Sequence, residues 1–130
     1  MTNGNREVFL AADLGASSGR LVAGGFDGRQ IQLEEIHRFE NGGVEVADHL
    51  CWDFPGLWKQ LETGLTRAAS EYQDSIISLG VDTWGVDFGL LDSKDQLLAN
   101  PRHYRDQSQE ILETAFAMVP REEIFQHTGL

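Results

Sequence analysis

The sequence predicts an α/β fold built on a mixed sheet, with the element order β-β-β-α-β-β-α. Residues 8–39 contain three consecutive strand-like segments joined by short turns. Residues 53–72 place apolar side chains at three- and four-residue spacing, which is typical of a helix with one buried stripe. Another apolar strand pattern follows, so this helix is expected to be a crossover connection that returns the chain to the sheet.

The first three strands are predicted to be antiparallel neighbours. Residues 8–12 are continuously apolar, as expected of a strand that is covered on both faces. The second strand, 20–26, leads into Asp27-Gly28, a pair that favours a type I′ hairpin in which both central residues have positive φ. The third strand, 30–39, alternates between apolar and polar residues until two adjacent glutamates shift its phase.

The remaining elements are assigned from capping and breaking residues. A loop is expected over 41–52, after which Asp53 is expected to cap a helix with Pro55 in its first turn. The apolar stripe of that helix consists of Leu57, Leu61, Gly64, Leu65, Ala68 and Tyr72. The predicted elements that follow are strands at 76–81 and 86–91, a turn at 92–95, and helices at 110–119 and 121–126 divided at Pro120.

Composition and charge exclude several classes of function. The chain has 130 residues, of which 41% are hydrophobic, so it can bury a core and is not expected to be disordered. With 10 basic and 21 acidic residues it would repel a phosphate backbone, so nucleic acid is not an expected partner. No segment approaches the roughly 18 consecutive apolar residues of a membrane helix. The single Cys51 and the lack of a signal-peptide profile favour a cytoplasmic location.

The turn after the first strand is the most informative segment, with the sequence Asp13-Leu14-Gly15-Ala16-Ser17-Ser18-Gly19-Arg20. Its backbone N–H groups, its serine hydroxyls and the Arg20 guanidinium could bind an oxyanion, while Asp13 could hold a hydrated Mg²⁺. The spacing of the glycines excludes a Walker A loop, and the strand that follows excludes a dinucleotide fingerprint. Two interpretations remain, an ordinary hairpin turn and the nucleotide-binding turn of the actin, hexokinase and heat-shock ATPase architecture.

Two further segments place polar and aromatic residues at predicted strand ends. The first contains Asp82, Thr83, Trp84, Gly85 and Asp87. Such a group suits recognition of a polyhydroxylated ligand, which could approach the backbone at the glycine, but it is also typical of a solvated strand end. The second, 104–106 (Tyr-Arg-Asp), is either a hydrogen-bonding fork for a substrate or a surface Arg–Asp pair.

Metal and thiol chemistry are not expected. The four histidines are scattered, and His49 with Cys51 offers only two ligands, so a zinc site is not predicted. Cys51 is expected to be a small buried apolar group rather than a nucleophile. Trp52 and Trp58 are expected to be core or loop anchors.

Together the motifs resemble those of the rhamnulokinases, a branch of the FGGY carbohydrate kinases within the actin-like ATPase superfamily, whose domains have a ribonuclease H-like fold. The motifs that carry the resemblance are 13–20, Glu35-Ile36-His37-Arg38-Phe39, Trp52-Asp53, 82–88 and Tyr104-Arg105-Asp106. They follow the family's order from near residue 8 to the end of the chain. Because family members are several times longer and have two similar domains, the resemblance implies that 1–130 is an incomplete N-terminal domain.

The resemblance implies transfer of the γ-phosphoryl group of ATP to the 1-hydroxyl of L-rhamnulose, with Mg²⁺. The implied ATP contacts are Ala16, Ser17, Ser18, Gly19 and Arg20, with Asp13 organising the metal through water. The implied sugar contact is Gly85, with Thr83, Trp84 and Asp87 as its neighbours. No catalytic residue is assigned within the chain, because the family's general base lies in a downstream Gly-x-His-Asp-like segment and this sequence has no His-Asp pair.

Two alternatives accompany this interpretation. One is a kinase for another ketose or polyol of the same family, and the other is a non-catalytic module that binds nucleotide or sugar. By itself the chain is expected to be inactive as an enzyme. An open sheet edge is also expected to promote self-association.

Overall fold

A mixed four-stranded sheet is the centre of the structure, a computed structural model that describes residues 7–106 and 109–129. The elements are β1 (Glu7–Leu14), β2 (Ser18–Phe26), β3 (Ile31–Glu40), β4 (Gly43–Val46), β5 (His49–Trp52), α1 (Phe54–Tyr72), a 3₁₀ turn (Gln73–Ser75), β6 (Ile76–Thr83), α2 (Gln109–Met118) and α3 (Arg121–Thr128). The strand order is β3-β2-β1-β6. Strand β2 runs antiparallel to β1 and β3, whereas β1 and β6 are parallel, so the predicted mixed sheet is confirmed.

The topology brings four strand ends to one edge of the sheet. Strands β1, β3 and β6 end at this edge and β2 begins there. The edge therefore carries the β1–β2 turn, the residues after β3 and the residues after β6. Two of the three segments singled out in the sequence follow β1 and β6, so the fold brings both to this edge.

Helix α1 covers one face of the sheet. Asp53 caps it as predicted, since its Oδ1 accepts a hydrogen bond from the Gly56 N–H at 3.1 Å. Gly64 and Ala68 are the buried residues of the helix. A Cβ at Gly64 would lie 3.2 Å from the Cβ of Leu21, so the glycine lets α1 pack closely on β2. The core beneath the helix consists of Val8, Leu10, Ala12, Leu21, Ala23 and Ala68.

The opposite face of the sheet is exposed within the described residues. Strand β1 alternates between exposed and buried residues, with Phe9 39% exposed, so the predicted burial of both faces is wrong for this structure. On the face that carries α1, part of β6 is also exposed. Leu79 and Val81 share this face with the buried Leu10 and Ala12 but are 47% and 63% exposed. The cause is the position of α1, which packs over β2 and β3 and leaves β6 uncovered.

The hairpin between β2 and β3 has two local features. A register shift in the pairing leaves Ile36 as an extra residue of β3, so the phase break seen in the sequence is a β-bulge. Gly28 has a φ of 90°, but Asp27 is not among the positive-φ residues. Instead, Oδ1 of Asp27 accepts hydrogen bonds from the N–H groups of Arg29 and Gln30, both at 2.8 Å. The hairpin is confirmed, and its predicted type I′ turn is wrong.

Two predictions of element type are wrong. The predicted loop 41–52 contains an antiparallel hairpin, β4–β5, whose two turn residues Ala47 and Asp48 have φ values of 48° and 65°. The predicted strand 86–91 is irregular apart from one bridge between Leu91 and Leu97.

The two C-terminal helices, α2 and α3, are confirmed to within three residues of their predicted ends. Pro120 lies between them and occupies the N-cap of α3. In the ranges that the structure describes, no helix has the combination of length and apolar character needed to span a membrane.

Candidate functional site

The turn between β1 and β2 presents backbone donors at the sheet edge. The Gly15 N–H donates to the Ser18 carbonyl oxygen at 3.0 Å. Within 7–106 and 109–129, the N–H groups of Ala16 and Ser17 have no acceptor. A Cβ at Gly15 would lie 2.9 Å from the Ser18 carbonyl oxygen, so glycine is required here by close approach rather than by φ. The turn can therefore donate hydrogen bonds to an anion.

A row of charged side chains crosses the sheet beside this turn. Register places Asp82, Asp13, Arg20 and Arg38 at neighbouring positions on β6, β1, β2 and β3. Paired positions on adjacent strands point to the same face, so the row consists of two acids followed by two bases. Arg20 Nε and Nη2 lie 2.7 Å and 2.6 Å from Asp13 Oδ2, and Arg38 Nε lies 3.0 Å from Glu35 Oε1.

These charges are electrostatically coupled. The hydrogen bond from Arg38, with its charge and that of Arg20, holds the pKa of Glu35 below its usual value. In return, the hydrogen bond to Glu35 and the negative charges of Glu35 and Asp13 raise the pKa of Arg38. In the described structure, the two arginines are therefore neutralised by carboxylates on the same face of the sheet.

An aromatic cluster lies beyond the end of β6. The ring centroid of Trp52 is 4.3 Å from that of Trp84 and 4.0 Å from that of His103, and His103 stacks on Tyr104 at 4.5 Å. Oδ2 of Asp87 accepts hydrogen bonds from Nε1 of Trp52 at 2.6 Å and of Trp84 at 2.9 Å. The cluster thus fixes two of the predicted sugar-side residues, Trp84 and Asp87, against β5.

Sequence reasoning missed the central residue of this cluster. His103 is buried, and its Nδ1 accepts a hydrogen bond from the Arg105 N–H at 3.0 Å. The signal that could have indicated it is the aromatic pair His103-Tyr104, which begins two residues after Pro101. Trp52 is 3% exposed, which confirms it as an anchor, whereas Trp58 is 53% exposed and is not one. The predicted burial of Cys51 is confirmed.

A cavity of about 420 Å³ opens beside the cluster. Its wall combines apolar side chains with the polar groups of Asp87, Arg102, His103, Tyr104 and Asp106. An apolar wall with a few polar groups suits a small polyhydroxylated ligand. Of the predicted sugar-side residues, Asp87 lines the cavity and the other three do not.

Those other three residues lie at the end of β6 and in the bend that follows. Thr83 is the last residue of β6 and pairs with Leu14 at the end of β1. Trp84 is partly buried by Trp52, and Gly85 is exposed. A Cβ at Gly85 would contact nothing within 4 Å, so the protein leaves open the space that a close-lying ligand would need.

For the segment 104–106, which contributes to the cavity wall, the alternative of a surface Arg–Asp pair is wrong, because Arg105 does not pair with Asp106. The Arg105 guanidinium lies over the Tyr104 ring, 5.1 Å from its centroid. Asp106 Oδ1 accepts the Leu50 N–H at 2.9 Å, and its Oδ2 lies 2.6 Å from Arg102 Nη1. The hydrogen bond from the Leu50 N–H, followed by that from Arg102, lowers the pKa of Asp106. Asp106 therefore ties this segment to β5.

Comparisons with known proteins find rhamnulokinases that are similar to this chain. The chain is 40% identical over 123 residues to a rhamnulokinase from Oceanobacillus iheyensis and 41% identical over 126 residues to one from Bacteroides thetaiotaomicron. The chain is therefore similar to the rhamnulokinases over nearly its whole length. These matches cover 93% and 96% of the chain, but the chain spans only about a quarter (26%) of the length of each rhamnulokinase. No protein-family model matches the sequence.

Solved structures of sugar kinases share the fold of this chain. A carbohydrate kinase from Novosphingobium aromaticivorans superimposes with a TM-score of 0.68 at 18% identity, covering 87% of this chain and 23% of that one. A gluconate kinase from Lactobacillus acidophilus superimposes with a TM-score of 0.73 at 14% identity, covering 96% of this chain and 25% of that one. At these identities the likeness shows the fold alone. The predicted actin-like ATPase fold with its mixed sheet is thus confirmed.

Proposed function

We propose that the chain is part of an ATP-dependent kinase that converts L-rhamnulose to L-rhamnulose 1-phosphate. The observation that carries the proposal is the common sheet edge, where a donor-lined turn follows β1 and an aromatic cluster follows β6. Similarity to the rhamnulokinases supports the choice of sugar. A cytoplasmic location belongs to the same proposal and is supported by the single, unpaired cysteine.

The nucleotide side of the proposal rests on the β1–β2 turn. The proposed phosphate contacts are Ala16 and Ser17 in the turn, with Ser18, Gly19 and Arg20 at the start of β2. The N–H groups of Ala16 and Ser17 have no acceptor in the described part of the chain, so they fit phosphate oxygens. Asp13 and Asp82 are neighbours in register and offer the carboxylate oxygens that Mg²⁺ prefers. Asp13 would bind the Mg²⁺ through a water molecule. When bound, Mg²⁺ would neutralise part of the polyphosphate charge.

The ion pair between Asp13 and Arg20 has a specific role in this proposal. While Arg20 is held by the Asp13 carboxylate, its charge is not available to a phosphate group. Arg20 can turn to a phosphate when Asp13 has another cationic partner. The side chains are therefore suited to a metal–nucleotide complex rather than to the free nucleotide.

The sugar side of the proposal consists of Gly85 with its neighbours Thr83, Trp84 and Asp87. Asp87 is held in place by two indole N–H groups through Oδ2. In the ranges described, its Oδ1 has no hydrogen-bond partner, so it can accept a hydrogen bond from a sugar hydroxyl. We assign no general base to this chain and expect it to bind without turnover.

Two experiments test the function. A protein that contains this chain should phosphorylate L-rhamnulose with MgATP, and calorimetry on the chain itself should detect binding of MgATP. Phosphorylation of a different ketose or polyol instead of L-rhamnulose would overturn the substrate. Absence of phosphorylation with every sugar tested would overturn the enzyme class.

A second candidate function is a non-catalytic module that binds nucleotide or sugar. The observation that favours it is the lack of a His-Asp pair in the 130 residues. Binding of MgATP or sugar by a whole protein that has no kinase activity would support this candidate over the first.

A further inference from the structure

Asn41, directly after β3, makes two hydrogen bonds to the β1–β2 turn. Its side-chain Nδ2 donates to the Gly15 carbonyl oxygen at 2.8 Å, and its backbone N–H donates to the Ser17 carbonyl oxygen at 3.1 Å. The backbone bond continues the pairing of β2 with β3. The side-chain bond is additional to that pairing and spans 26 positions in sequence.

These bonds determine which way two peptide groups of the turn point, the one after Gly15 and the one after Ser17. In a planar trans peptide, the carbonyl and the following N–H point in opposite directions. Because Asn41 holds the Gly15 carbonyl, the Ala16 N–H must point away from Asn41. The peptide between Ser17 and Ser18 is oriented by the second bond in the same way.

Little else holds this turn. Apart from the bond between the Gly15 N–H and the Ser18 carbonyl, the described hydrogen bonds of residues 15–17 both come from Asn41. A turn of small residues without this tether would sample flipped peptides. If only some molecules have the turn in its binding conformation, the apparent dissociation constant of a ligand is the intrinsic constant divided by that fraction.

We propose that Asn41 is a positioning residue that orients the β1–β2 turn so that its N–H groups bind a polyphosphate. The identity of the ligand rests on the proposed function, whereas the orienting geometry belongs to the ligand-free chain. Asparagine suits the position because its amide donates to the carbonyl without adding charge beside the phosphates.

The test replaces the side-chain amide of Asn41, which donates to the Gly15 carbonyl, with a carboxylate of nearly the same shape. In Asn41→Asp, an acceptor faces the Gly15 carbonyl, and binding of Mg-ATP and of Mg-triphosphate should weaken about tenfold or more. Asn41→Ala keeps the backbone hydrogen bond to Ser17 and adds no charge, so we expect the affinity for both ligands to fall about threefold. Triphosphate is the sharper probe, because it has no base or ribose. In the free protein, NMR should show the Ala16 amide signal displaced in both variants.

Gln32→Glu is the matched control. It makes the same amide-to-carboxylate change at an exposed position of β3, at the strand end away from the turn. We expect it to retain wild-type affinity and an unchanged Ala16 signal. If Asn41→Asp does not fold, Asn41→Ala decides the outcome.

The outcomes separate this inference from the proposed function. If the wild-type chain binds neither Mg-ATP nor Mg-triphosphate, the nucleotide role of the turn fails, and the inference fails with it. If the wild type binds and both Asn41 variants bind equally well with an unchanged Ala16 signal, only the positioning role is overturned. A loss in Gln32→Glu equal to that in Asn41→Asp would also overturn it, because charge alone would then explain the effect.

Discussion

Individual side chains at the sheet edge are arranged so that opposite charges neutralise each other before any ligand binds. Arg20 contacts one oxygen of Asp13 through two nitrogens, and Arg38 contacts Glu35 on the same face. Both pairs are partly exposed, so solvent screens them and each contributes little to stability. Their larger effect is on the proposed binding of a phosphate, which would have to replace Asp13 as the partner of Arg20.

Asp13→Asn is expected to reduce the dependence of ATP binding on Mg²⁺. The variant loses a charged oxygen ligand and releases Arg20, so the affinity for Mg-ATP should fall about tenfold or more, while metal-free ATP binds as well or better. Calorimetry with and without Mg²⁺ measures both values. Asp74→Asn, before β6 and at the opposite edge of the sheet, is the control and should change neither. An unaltered Mg²⁺ dependence in Asp13→Asn would contradict the metal role.

Gly85→Ala is expected to weaken sugar binding without affecting the fold. A Cβ at this position contacts no protein atom, so any loss of affinity for L-rhamnulose arises from the ligand. We expect a loss of about tenfold or more in a whole protein that binds the sugar, with an unchanged melting temperature. Gly80→Ala, where a Cβ also has open space, is the matched control. Equal affinities in the two variants would remove Gly85 from the sugar site.

Among the elements, β5 is the one that joins the aromatic cluster to the cavity wall. The His103 N–H donates to the Leu50 carbonyl oxygen at 3.0 Å, and the Trp52 N–H donates to the Pro101 carbonyl oxygen at 2.8 Å. Asp106 adds its bond to the Leu50 N–H. The segment 101–106 is therefore attached to β5 through both N–H and carbonyl groups of the strand, around an antiparallel bridge between Cys51 and Arg102.

Acid is expected to loosen this attachment. The pKa of Asp106 lies below its usual 3.8, so its stabilising contribution is present above that value and is lost as pH falls through the folded-state pKa. Urea unfolding from pH 7 to 3 should show that wild type is more stable than Asp106→Asn at neutral pH. The difference should shrink as the solution becomes more acidic than 3.8. A difference that stays constant with pH would contradict this role of Asp106.

Local signals explain which elements could be predicted from sequence. The cap at Asp53, the stripe of α1 and the phase break at the β-bulge all depend on neighbouring residues, and each is confirmed. The β4–β5 hairpin escapes prediction because its turn has Ala47 and Asp48 at positive φ, where glycine or asparagine is the usual signal.

The aromatic cluster escapes prediction for a different reason. Its contacts join Trp52 to His103, which are far apart in sequence, and no spacing rule connects such residues. The turn after β1 could be predicted as a donor-lined segment, because glycine and serine are read directly from the sequence. The tether from Asn41 could not, since it depends on the register of β2 and β3.

At the scale of the whole molecule, β6 is an edge strand that carries exposed apolar residues. Ile77, Leu79 and Val81 are all exposed, and β6 is an outermost strand of the described sheet, paired only with β1. The strand contains no lysine or proline, which are the residues that usually protect an edge from pairing. The net charge of −11 opposes association, so the apolar strand and the charge act in opposite directions.

We expect the chain to self-associate through β6, more strongly at high salt, which screens the charge. Val81→Lys should reduce the association, because it places a charge among the exposed apolar side chains of the edge strand. Sedimentation velocity over a range of concentrations measures the effect. Val46→Lys, at an exposed valine of β4, is the matched control and should associate like wild type. A wild-type chain that stays monomeric at every concentration would contradict the expectation.

The contrast between the tethered turn and the aromatic cluster has a consequence for the order of folding. The turn and its tether lie within residues 13–41 of one antiparallel meander, so the loops that must close to form them are short. The cluster requires residues 52, 84, 87 and 103 to meet, which needs longer loops and therefore forms more slowly. The β1–β2 turn should thus gain amide protection early in refolding, before the aromatic cluster exists.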